Sequence, residues 1–107
     1  MKTSNIYQHK KLSSSVKEEF TEKLIETTDV RIERILSTGQ VTPNGKWFDQ
    51  EKEEWVLLLE GNAEIEFEGE KIMQIKAGDY LNIPAHKKHR VTFTSATPAC
   101  LWLAVHY

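Results

Sequence analysis

Four ionisable side chains at expected turn–strand junctions stand out: Asp49, Glu54, His86 and His89. Glu54 opens a run in which Val56 and Leu58 share its face. His89 opens another, with Val91 and Phe93 on its face. An ionisable residue on an apolar face has to be paired, neutralised or bound to metal, because an unpaired buried charge is costly. Asp49 and Glu54 flank the polar stretch 50–53, which reads as a turn. Across such a turn both carboxylates can point inward.

Other chemistry is scarce. There is no Gly-x-Ser-x-Gly, no Ser-His-Asp arrangement, and no glycine-rich phosphate loop leading into a helix. Gly39 and Gly45 are isolated and suit turns. Cys100 precedes an apolar strand with no cation nearby in sequence and reads as a small buried hydrophobe. The run His86-Lys87-Lys88-His89-Arg90 reads as a solvated turn. At a pocket mouth it would favour an anion, and the acidic stretch 49–54 would oppose that field. Trp47, Phe48 and Trp102 are able to wall a pocket, although such aromatics usually serve a core. His9 and His106 lie near the termini and receive no role.

The elements that must position these residues are mostly strands. Residues 1–15 read as a polar arm, with Ile6, Tyr7 and Leu12 able to dock on a core. Ser15-Val16-Lys17-Glu18 has capping-box spacing, and Val16, Phe20 and Leu24 recur every four residues, which predicts a short helix ending at Thr27-Thr28. From Val30 onward, short apolar or alternating runs are separated by turn signals. Ala63, Ile65 and Phe67 alternate with Glu64, Glu66 and Glu68, the pattern of a half-buried antiparallel strand. Strands at this spacing predict an all-β sandwich or barrel. The expected division is an arm and short helix at 1–27 and a β-barrel at 28–107. Trp55–Leu59 and the last strand are apolar on both faces. They need a second cover, part of it expected from the N-terminal helix and the rest from a second subunit, so a homodimer is expected.

Composition removes several function classes. The 107 residues carry a formal net charge of −2, which argues against general nucleic-acid binding. A single cysteine excludes an intrachain disulfide and a cysteine-based zinc site. No apolar run approaches the ~18 residues of a membrane span. No apolar h-region follows the N-terminal lysines. A reducing cytoplasmic setting is therefore expected, with no membrane or nucleic-acid partner.

Residues 28–107 resemble the cupin superfamily. Glu54 followed by WVLLLE and Gly61 fits the end of its first signature. Gly78-DYLNI-Pro84-Ala85-His86-Lys87-Lys88-His89 fits the second, except that His86 replaces a glycine. The chain looks most like short bacterial cupins of unassigned reaction. The resemblance implies a double-stranded β-helix, or jelly roll, with a metal site on its inner wall. Glu54 and His89 match two family ligands. The two His-x-His positions fall on Trp47, which cannot ligate, and Asp49, which can. The implied site is Asp49, Glu54 and His89, with Gln50 or His86 as further ligands or pocket residues. Such a set suits Mn, Mg, Fe(II) or Zn. The alternative is that Glu54 and His89 only hydrogen-bond each other.

Three functions are open at this stage. One is a metal-dependent enzyme acting on a small organic molecule, its catalytic residues unknown. The second is a metal-free module that binds a small sugar or acid. The third is a scaffold whose interior is sealed by Phe67, Phe93 and Leu103. Fold-level analogy does not choose among them.

Overall fold

The computed structural model describes residues 1–9 and 17–107. Eight strands follow in order: β1 (Phe20–Glu26), β2 (Arg31–Ser37), β3 (Glu54–Glu60), β4 (Asn62–Phe67), β5 (Met73–Lys76), β6 (Tyr80–Ile83), β7 (His89–Thr94) and β8 (Cys100–His106). They form two antiparallel sheets, ordered β1-β2-β8-β3-β6 and β5-β4-β7. The all-β expectation holds, and the two sheets pack face to face.

Period-2 alternation explains that packing. β3 buries Glu54, Val56 and Leu58 and leaves Trp55, Leu57 and Leu59 half-buried on its other face. β4 buries Ala63, Ile65 and Phe67, as its sequence alternation requires. With Ile75, Ile83, Trp102 and Ala104, the apolar ones among these inward residues form one core drawn from both sheets. The β3–β4 connection is tight at Gly61, whose φ is +87°. A Cβ there would come within 2.8 Å of the Ala99 carbonyl and the Ser95 hydroxyl, so only glycine fits.

The expected N-terminal helix is overturned. Ser15 and Val16 lie outside the described residues, but Phe20 to Glu26 form strand β1. It runs antiparallel to β2, with Phe20 opposite Leu36 and Glu26 opposite Arg31. A short isolated helix is marginal in water. The free edge of β2 offers this segment an antiparallel hydrogen-bond ladder instead, broken by one register shift between Lys23 and Ile25. Thr27 closes a hairpin: its N–H donates to the Val30 carbonyl at 2.8 Å. Its Oγ1 accepts from the Val30 N–H at 3.0 Å. The expected boundary at residue 27 therefore falls inside a hairpin that joins β1 to the sheet.

The arm is held through its backbone. Arg34 donates to the carbonyls of Asn5, Ile6 and Gln8 at 3.1–3.3 Å and pairs with Glu22 at 2.6 Å. Tyr7 stays largely exposed, and Leu12 lies outside the described residues. Among the described residues no helix is long and apolar enough to cross a membrane.

Candidate functional site

Glu54 and His89 come together as the shared-face argument requires. Glu54 starts β3 opposite His106 of β8 and Ile83 of β6. His89 starts β7 opposite Phe67. Both are buried, and Glu54 Oε1 lies 3.7 Å from His89 Nε2. His89 Nδ1 sits 2.9 Å from the Lys87 carbonyl. A carbonyl only accepts, so Nδ1 carries a proton and Nε2 is turned to Glu54. Burial by itself would lower the His89 pKa. Contact with Glu54 and the Lys87 carbonyl outweigh it, and the pKa is raised above the usual 6.5.

The pair faces a cavity of about 270 Å³ between the sheets. Ile35, Val56, Ile65, Ile83, Val91 and Trp102 supply its apolar lining, and Phe48 and Gln50 also face it. A second acid–imidazole pair stands on the same wall: His106 Nε2 is 2.9 Å from Glu33 Oε1. Arg31 Nε lies 3.1 Å from the other Glu33 oxygen. Register brings these groups level, because Arg31 and Glu54 both face His106 across β2, β8 and β3.

A third polar group completes the wall. The Trp102 indole N–H donates to Ser37 Oγ at 3.2 Å. The Ser37 hydroxyl donates to Glu19 Oε2 at 3.0 Å. Burial pushes the Glu19 carboxyl above its usual 4.5. The Ser37 bond opposes that rise, and the Glu54 and Glu33 charges add to it.

Asp49 is not part of this group. Its Oδ1 is 2.8 Å from His86 Nδ1, and both side chains are largely exposed. His86 also takes a left-handed φ of 63°, at the position where the cupin signature has glycine. Trp47 packs against the Arg90 guanidinium, 5.7 Å from its ring centroid. The inward positions upstream of Glu54 are Phe48 and Gln50, one residue out of step with the expected Trp47 and Asp49. The cause is a backbone bridge. Phe48 N–H donates to the His89 carbonyl at 2.7 Å, and His89 N–H donates to the Phe48 carbonyl at 3.1 Å. A one-residue slip exchanges the two faces of a strand.

The set Asp49, Glu54 and His89 therefore does not converge. Among the described residues no group of three or more His, Cys, Asp or Glu side chains is placed to hold a metal ion. Glu54 and His89 offer two donors, whereas catalytic zinc sites use three protein ligands. The side chains as placed do not make the expected metal centre. Nor is the interior sealed. Phe67 lies 6.0 Å from His89, but Phe93 is exposed and Leu103 is only half-buried, alternating out of the core between Trp102 and Ala104.

Sequence reasoning missed Glu19, Arg31, Glu33 and His106. For His106 a signal existed. It shares a strand face with Trp102 and Ala104, the same argument that selected Glu54 and His89. Glu33 gave none, because both faces of β2 mix apolar and charged residues.

The family model for the cupin domain matches residues 35–106. The sequence is 37% identical to a protein of Ralstonia eutropha JMP134 described as a proposed mannose-6-phosphate isomerase. That structure aligns over 99% of this chain and 97% of its own, with a TM-score of 0.90. A cupin superfamily protein of Desulfitobacterium hafniense DCB-2 aligns at 19% identity over 89% and 82% of the two chains, with a TM-score of 0.71. An RmlC-like cupin with a double-stranded β-helix fold from Methanocaldococcus jannaschii aligns at 17% identity over 96% and 92%, with a TM-score of 0.68. Among curated proteins none matches the sequence.

Proposed function

The chain belongs to the cupin-domain family, and from that premise we propose that it binds a small hydroxyl-bearing organic molecule inside the barrel, without a resident metal. The observation that carries this reading is the wall itself: two acid–imidazole pairs, Glu54–His89 and Glu33–His106, face one cavity with an apolar lining. Carboxylates accept from ligand hydroxyls, imidazoles donate or accept, and the aliphatic and indole surfaces take C–H faces. The volume of about 270 Å³ lies just below the ~300–1,000 Å³ of drug-sized sites, which suits a ligand the size of a single sugar. The description of the Ralstonia protein names a phosphorylated sugar, which supports the sugar class of the ligand and not its charge. We assign no reaction.

The test is thermal unfolding against a panel of monosaccharides, small polyols and small hydroxy acids. A ligand should raise Tm with concentration as mass action requires. Glu54→Ala and His89→Ala should abolish the rise. A flat response across the panel sinks the reading. One observation favours a divalent ion instead: the 3.7 Å between Glu54 and His89 is too long for a hydrogen bond. About one Mn, Fe(II) or Zn ion per chain as isolated, lost in both variants, would put that reading in its place.

We also propose that the chain is a homodimer, paired through the outer face of the five-stranded sheet. Trp55, Leu57, Leu59, Leu103 and Val105 are only half-buried on that face, and Tyr80 beside them is exposed. A reducing, cytoplasmic setting suits the one thiol, Cys100, which is buried and free.

A further inference from the structure

The carboxylates of the cavity wall differ in how well they are satisfied. Glu33 is met by Arg31 and His106, at 3.1 and 2.9 Å. Glu19 accepts from Ser37. Glu54 is nine-tenths buried and accepts no hydrogen bond from any described residue. Its nearest partner, His89 Nε2, stands at 3.7 Å, beyond hydrogen-bond reach. Buried carboxylates are usually held by close donors, and the loose contact to His89 leaves the Glu54 oxygens facing the cavity with room for a further donor.

The local field gives the sign of that partner. Glu54 and Glu33 both make a negative charge on Glu19 harder to hold. Among the described residues lining the cavity, Arg31 is the one lysine or arginine, and Glu33 already takes it. The described lining thus sets three carboxylates, Glu19, Glu33 and Glu54, against Arg31, ion-paired with Glu33, and the His89 imidazole beside Glu54. A phosphate or carboxylate entering here would face the more numerous negative groups, and like charges at short range repel. An ammonium group supplies both a donor and the opposite charge, and charge-assisted bonds are the stronger ones.

We propose that the cavity selects a small molecule bearing a protonated amine, seated on the Glu54 carboxylate, and discriminates against its phosphorylated or carboxylated counterpart. This rests on the ligand-binding reading above and narrows it to a charge class.

The test is calorimetric titration of the full chain at neutral pH with three probes on one skeleton: glucosamine, glucose and glucose 6-phosphate. Glucosamine should bind about tenfold or more tighter than glucose, the scale of one added charge-assisted bond. Glucose 6-phosphate should bind more weakly than glucose. Glu54→Gln, which keeps the shape and removes the charge, should bring glucosamine and glucose to within about twofold of each other. Equal binding of glucose and glucosamine, tighter binding of the phosphate, or an amine preference that survives Glu54→Gln each overturns the charge assignment while leaving ligand binding in place. Failure of all three probes to bind overturns both.

Discussion

Phe48 and His89 exchange two backbone hydrogen bonds, and their rings pack 5.5 Å apart on the same side of the chain. The bridge fixes which alternate residues before Glu54 face the cavity. It puts a phenyl ring beside the acid–imidazole pair and leaves Asp49 outside with His86. An imidazole in place of that ring would add a third donor to Glu54 and His89. Phe48→His should therefore raise Zn affinity by at least about tenfold over the wild type, since zinc sites are completed by a third protein ligand. Calorimetric titration with zinc checks this. Unchanged affinity would mean that position 48 is not directed at the pair.

The strands were legible where one face is apolar and the other polar. Ala63 to Phe67 alternates so cleanly that its buried set follows directly from the sequence, and the burial of Cys100 follows from the apolar strand behind it. β1 was not legible. Phe20 and Leu24 carry helical spacing, and what turns them into a strand is the open edge of β2, which is tertiary information. The site was half legible for the same reason. Glu54 and His89 announce themselves by apolar neighbours two and four residues on. Asp49 was misplaced by a one-residue slip that only the Phe48–His89 bridge decides. Arg31 and Glu33 sit inside a barrel on a strand whose alternation gives no hint of which face is inward.

Leu58 is fully buried in the core shared by the two sheets. Leu58→Ala removes its methyl contacts and leaves a cavity that the flanking strands cannot close. A loss of ~2–5 kcal/mol is expected from such a truncation. Urea unfolding followed by circular dichroism measures it. A loss below about 1 kcal/mol would mean that this layer repacks freely.

Tyr80 is exposed and packs beside Trp55, with ring centroids 5.6 Å apart. If this face is covered by a second copy, the wild type should sediment at about twice the 12.4 kDa of one chain. Tyr80→Lys together with Leu57→Lys should then give a folded monomer, because charges in the middle of an apolar interface are costly. A wild type that sediments as a single chain disposes of the dimer.

The Glu19 carboxyl is raised above 4.5 chiefly by burial, with the Glu54 and Glu33 charges adding to the rise. The unfolded chain ionises this group first, so the folded state loses stability as pH rises from 4.5 through the folded pKa. Glu19→Gln keeps an acceptor for the Ser37 hydroxyl and carries no charge. The variant should be the more stable form at pH 7, and its advantage should vanish below about pH 4.5, the unfolded value. Denaturation midpoints from pH 4 to 8 test this. A variant less stable than the wild type at pH 7 would show that the ionised carboxylate is favoured where it stands.

His89 gives the opposite sign to its own group. Its folded pKa is raised above 6.5, burial notwithstanding, because Glu54 and the Lys87 carbonyl favour the protonated ring. The folded state therefore holds a proton that the unfolded chain releases first. The associated stability is fully present below about pH 6.5 and is lost as pH rises through the folded pKa. Glu54→Gln removes the charge that favours protonation, so the His89 pKa should fall and this pH dependence should flatten. The imidazole carbon shifts, followed by NMR across pH 5 to 9, report the titration directly. Urea midpoints over the same range report its energetic consequence. A His89 ring that titrates at or below 6.5 in the wild type, or one that does not respond to Glu54→Gln, would mean that the two side chains share a wall without sharing a charge.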